Sequence, residues 1–112
     1  MINFDDFQKL EIKIGTILEA EKIEGADKLL KLKVDLGPSN TSGQDIRTVV
    51  AGIAESYKPA SIIGKQIPIL TNLEPRTLRG VESQGMILAA VIDEKAVLLK
   101  PVKKVPNGTK IK

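Results

Sequence analysis

With 112 residues, 42% of them hydrophobic and 28% charged, the chain is long enough for one domain with one core and too apolar for disorder. It has no cysteine and no histidine, which removes disulfides, thiolate nucleophiles, the usual general base and the usual zinc ligand; a carboxylate or lysine enzyme stays open on these grounds, but no metal, no cofactor and no enzyme are predicted. No apolar run approaches the roughly 20 residues of a membrane span, and Asn3, Asp5 and Asp6 come too early for a signal peptide, so a cytoplasmic protein is expected.

The net charge of +3 is uneven. Residues 1–27 carry seven acids and three bases, whereas residues 28–112 carry seven acids and fourteen bases. An acidic leader on a basic body points to a polyanionic partner, although a lysine-rich surface also serves solubility.

Along the chain, Asn3 is placed to cap a short helix with Asp5 and Asp6 in its first turn. Phe4 and Phe7 share a face of that helix, either closing the core or meeting another subunit. From Lys9, alternation of Leu10, Ile12 and Ile14 with charged residues predicts a first strand, in which Gly15 marks a bulge or bend. After a turn at 24–27 comes KLLKLKVDLG, residues 28–37. Leu30, Leu32, Val34 and Leu36 fall on one side, Lys31, Lys33 and Asp35 on the other, with the lysines about 7 Å apart. This is either a ligand face or an ordinary solvated one.

A polar loop is expected over 38–45 and a third strand over 46–53. Pairing of strands two and three would let Arg47 join Lys31 and Lys33 on one surface. A short helix is read at 54–58, stopped by Pro59. A fourth strand covers 66–72, with Pro68 implying an edge or bulge. Residues 73–85 read as a loop, 86–92 (MILAAVI) as a buried strand, and 93–95 as a turn into 96–99. The tail from Pro101 carries basic residues and a Pro-Asn-Gly turn.

Three strands, a helix and two strands is the order of the five-stranded Greek-key barrel called the OB-fold. The expected fold class is therefore all-β: an OB-fold barrel with a short helix between strands 3 and 4 and a C-terminal β extension. One domain spans 1–112, with the barrel and N-terminal helix over about 1–92 and the extension over about 93–112. Single-strand binders of this fold stack bases on aromatic rings. Here Phe4, Phe7 and Tyr57 are the only aromatics, and none falls on the expected strand-two or strand-three face. What remains suits phosphates and 2′-hydroxyls, and so the contour of a folded RNA. The segment NLEPRTLRGVESQGM, residues 72–86, adds Arg76, Arg79, Ser83 and Gln84, with glycines permitting close backbone approach. It is either a contact loop or an ordinary barrel loop.

The segments DFQKLEIKIGTI (6–17), EGADKLLKLKVDLG (24–37), RTVVAGI (47–53), IIGKQIPILTNLEPRTLRGVESQGMILAA (62–90) and PVKKVPNGTKI (101–111) resemble the tRNA-binding domain of the methionyl-tRNA synthetase C-terminal or β-subunit type. The resemblance implies shape-selective tRNA binding with little preference among tRNAs, often as a homodimer, with the methionyl-tRNA synthetase catalytic subunit as a further partner. Carried over by position, it implies tRNA contacts at Lys31, Lys33, Arg47, Asn72, Arg76, Arg79, Ser83 and Met86. Glu74 and Thr77 stand where the family commonly has a basic residue, which implies modest affinity. A related branch, the CsaA-type export chaperones, uses a similar dimer to hold unfolded polypeptide and supplies the alternative function.

Overall fold

Strands with one apolar face must turn that face inward. Three of them form the long meander that dominates the structure, a computed structural model describing residues 1–39 and 43–112. After helix α1 (Phe4–Gln8) come β1 (Ile12–Ile23), β2 (Ala26–Ser39) and β3 (Gly43–Ala51). Helix α2 (Pro59–Ile62) leads to β4 (Gln66–Leu70). The remaining strands are short: β5 (Arg76–Leu78), β6 (Val81–Ser83), β7 (Met86–Ile87), β8 (Ala89–Ile92) and β9 (Lys95–Leu98). The main sheet is ordered β3-β2-β1-β4-β7, and β5-β6 and β8-β9 are separate antiparallel hairpins. Ile17, Leu30, Leu32, Val34, Val49, Ile62, Ile67 and Ile69 are fully buried and form an aliphatic core.

The sheet curls because β1 serves two partners. Residues 12–16 pair with β4 and residues 16–23 with β2. Where β2 leaves β1, the C-terminal tail takes its place: Gly108 donates to Ile14 O (2.7 Å), Ile14 to Thr109 O (2.9 Å) and Ile111 to Ile12 O (2.8 Å). At the opposite seam, segment 83–84 is bonded to β3. This is the OB-like, mostly β architecture expected, with a helix between the third and fourth strands.

Several details differ from the sequence reading. The register shifts in β1 fall between Ile17 and Glu19 and between Lys22 and Ile23 rather than at Gly15. Gly15 instead admits close packing, since a Cβ there would lie 2.5 Å from Val34 Cγ1 and 2.8 Å from Leu36 Cδ2. The expected helix at 54–58 is a turn, and Pro59 opens α2 at its first positions, where a missing N–H costs nothing. Pro68 lies in a strand with neighbours on both sides, not at an edge. It is tolerated because Ile14 turns its amide and carbonyl to the tail, while on the other side β7 ends at Ile87 and asks Pro68 only to accept, from the Leu88 amide.

The expected loop 38–45 is shorter, with Pro38 and Ser39 paired to Gln44 and Gly43, and residues 40–42 lie outside the described residues. The expected loop 73–85 contains the β5–β6 hairpin. MILAAVI is not one buried strand. It divides between β7 and β8, and Val91 and Ile92 are 70% and 62% exposed. Asn3 caps α1 as read, its Oδ1 accepting from the Asp6 amide at 2.9 Å.

Candidate nucleic-acid interface

Residues directly opposite in an antiparallel pair share a face. Val34 and Leu32 point into the core, so their partners on β3, Arg47 and Val49, lie on the core side. The other set is the outer face. Lys31 pairs with Val50 and Glu21, Lys33 with Thr48 and Glu19, and Asp35 with Ile46. Lys31 and Lys33 thus share one wall, but Arg47 is not on it. The expectation that it joins them fails on the parity of the register.

Arg47 spends four of its five guanidinium N–H groups on the chain. Nε and Nη2 donate to the Asp45 carboxylate at 3.2 Å each, and Nη1 donates to Thr71 O (2.6 Å) and Gln84 O (3.3 Å). This forked geometry joins β3 to the exit of β4 and to the hairpin's return strand.

Two more of the sequence-named residues spend their side-chain polar groups on the chain itself, Asn72 at the surface and Ser83 below it. Asn72 Oδ1 accepts from the Glu11 amide (2.9 Å) and its Nδ2 donates to Lys9 O (2.7 Å), clasping the approach to β1. Ser83 is buried. Its Oγ accepts from the Val50 amide and donates to Gly85 O, both at 2.9 Å.

The other three, Arg76, Arg79 and Met86, are exposed. Thr77 faces Glu82 and Leu78 faces Val81, leaving Arg79-Gly80 as a two-residue turn with both φ positive, 51° and 78°. That is the primed hairpin geometry whose twist matches its strands. The hairpin leans over the outer face. Arg76, Leu73, Leu78 and Met86 line a recess with Val50, the direct neighbour of Lys31. Arg79 at the tip lines a second recess with Asp27, Lys28 and Leu29.

Arg76 and Arg79 thus line two separate recesses, one of which also holds Glu74, and Lys31 and Lys33 stand on the neighbouring face of β2 without lining either. Lys28, not named from the sequence because alternation assigns it to the core side, is exposed beside Arg79. The wall is not purely cationic: Glu21 Oε1 lies 3.5 Å from Lys31 Nζ, and Glu19 faces Lys33. Among the described residues, Lys33, Arg76 and Arg79 have no acidic partner within ion-pair distance. No group of acidic side chains there could hold a metal, and no helix is long and apolar enough to cross a membrane.

A family model described as "Putative tRNA binding domain" matches residues 12–110. The chain belongs to this tRNA-binding domain family. Among its relatives, the methionine–tRNA ligase of Flavobacterium johnsoniae is 54% identical over 112 residues, covering 99% of this chain and 15% of the ligase. That of Methanothrix thermoacetophila is 51% identical, covering 100% and 16%. The tRNA-binding domain thus spans about a sixth of the curated relatives it matches. A solved MetRS-related protein from Pyrococcus horikoshii superposes with a TM-score of 0.88 at 38% identity, covering 99% of this chain and 97% of that one. The chaperone CsaA of Bacillus anthracis superposes with a TM-score of 0.87 at 34% identity, covering 100% and 99%.

Proposed function

We propose that this chain binds folded tRNA by its outer contour, without chemistry of its own, and serves as an accessory module to a methionyl-tRNA synthetase in the cytoplasm. The observation that carries this is the outer face of β2 with Lys31 and Lys33, next to β3, to which the hairpin bearing Arg76 and Arg79 is bonded. These four cations, with Lys28 and Met86 at the margins, are the proposed contacts. Arg47, Asn72 and Ser83 hold that surface in shape. The relatives that carry this domain within a methionine–tRNA ligase support the accessory role. Retaining tRNA near the enzyme through a second weak contact raises overall affinity well beyond either contact alone.

The test is a binding titration of tRNA against single-stranded RNA of equal length, repeated over a salt series. Folded tRNA should win, and affinity should fall steeply as salt rises because phosphate contacts release counterions. Equal affinity for the two RNAs removes the shape-reading claim. The physical link to a synthetase is tested by co-purification with a methionyl-tRNA synthetase that lacks its own copy of this domain.

A homodimer is part of the proposal. Phe4, Phe7, Leu10 and Ile111 border one recess with Lys110 and Lys112, and Asp5 and Asp6 sit on the same helix as the phenylalanines. An apolar patch bordered by bases and set on a helix that carries acids can meet a second copy of itself about a two-fold axis. The chaperone reading is favoured by the CsaA superposition and by the exposed Phe4, Val91, Ile92 and Val102. It predicts protection of an aggregating client that tRNA does not compete away.

A further inference from the structure

We infer that Gln84, acting with Ser83, is a positioning residue that sets the height of the β5–β6 hairpin over the outer wall of β2 and β3, and thereby the RNA contour that fits there. The inference rests on the tRNA-binding reading above. An ordinary antiparallel pair exchanges two main-chain N–H···O=C bonds. Here the Gln84 amide donates to Thr48 O at 2.8 Å, but the Thr48 amide goes to the Gln84 side-chain Oε1 at 3.0 Å. Gln84's own carbonyl is turned away to Arg47. Two residues along β3, the Val50 amide is taken by Ser83 Oγ. Side-chain oxygens therefore replace main-chain carbonyls at two successive outward amides of β3.

The hairpin cannot hold its own position. Its ladder is three residue pairs long, and an isolated two-stranded ribbon is marginal in water. Its attachment to β3 runs through Gln84 and Ser83, and Ser83 is the register partner of Arg76. Any change at the latch is therefore passed directly to a cation of the wall, and along β5 to Arg79 at the tip.

The experiment compares wild type, Gln84→Leu and Gln84→Glu. Each is measured by amide hydrogen exchange, by tRNA and single-stranded RNA binding, and by the salt slope of tRNA binding. Gln84→Leu removes the acceptor at similar volume. Exchange at the Thr48 and Val50 amides should quicken by about tenfold while Leu32 and Val34 stay protected, as expected for the loss of one hydrogen bond in a folded chain. tRNA affinity should drop by about tenfold and its salt slope should fall, since a displaced hairpin takes its arginines off their phosphates, while single-stranded RNA affinity should stay put. Gln84→Glu keeps an acceptor and should restore protection at Thr48, and at high salt, where its added charge is screened, tRNA affinity should recover relative to Gln84→Leu.

Faster exchange with unaltered tRNA affinity overturns the positioning role. So does a loss of tRNA affinity with exchange at Thr48 and Val50 unchanged, which marks Gln84 as a direct contact rather than a latch. If wild type itself prefers neither RNA, the tRNA reading fails and this inference with it, while the exchange data still report whether the latch exists.

Discussion

Thr16 donates its hydroxyl to the Asn107 side-chain oxygen at 2.6 Å, across ninety-one residues of chain. Gln66 Nε2 donates to the same oxygen at 3.1 Å and to Val105 O at 2.6 Å, and Gln66 Oε1 accepts from the Val105 amide. Gln66 is buried, so its amide depends on the tail for partners. The C-terminal segment is thereby part of the barrel wall, bolted to β1 and β4 at the point where β1 changes partners. Asn107→Ala removes one acceptor from two donors. It should destabilise the fold by about 1–3 kcal/mol, read as a lower urea midpoint with an unchanged m-value.

Gly15 faces Val34 and Leu36 too closely for any side chain. Gly15→Ala forces two buried aliphatic groups off their positions, an overpacking cost of about 1–3 kcal/mol. The loss should appear in the same urea titration, and tRNA affinity well below the transition should not change.

Lys31→Glu combined with Lys33→Glu reverses charge on the outer wall without touching the core. Far-ultraviolet circular dichroism should stay native. The salt dependence of tRNA binding should flatten by roughly one to two logarithmic units of slope, as expected for two lost phosphate contacts. An unchanged slope moves the contact surface to the hairpin arginines.

Arg47 separates two ideas that the sequence leaves joined. On β3, Arg47, Val49 and Ala51 alternate with Ile46, Thr48 and Val50, and both sets contain apolar residues. Composition cannot say which set faces inward; register decides it, and register is a long-range property. The same limit hid the latch made by Ser83 and Gln84, whose partners lie more than thirty residues away. β2 was legible because its two faces differ so sharply, four aliphatics against two lysines and an aspartate. The Asn3 cap was legible because it is local. Arg47→Lys tests the structural role, since one ammonium cannot hold Asp45 and Thr71 O together. Stability should fall by about 1–3 kcal/mol, with no change in the salt slope of tRNA binding.

Arg79 occupies the first turn position of the hairpin at φ 51°, a conformation that favours glycine, asparagine or aspartate. A residue of poor turn propensity kept there costs stability, up to about 1 kcal/mol. Its guanidinium is exposed beside Lys28 and has no acidic partner among the described residues. Arg79→Asn supplies the favoured Asn-Gly pair for a type I′ turn. The variant should therefore be equally or more stable, with a gain of a few tenths to about 1 kcal/mol in urea. Its tRNA affinity should nevertheless fall several-fold, with a salt slope lower by about one. Stability and binding moving in opposite directions would show that the strained turn is kept for its cation. A variant that gains stability and loses no affinity would take Arg79 out of the RNA surface.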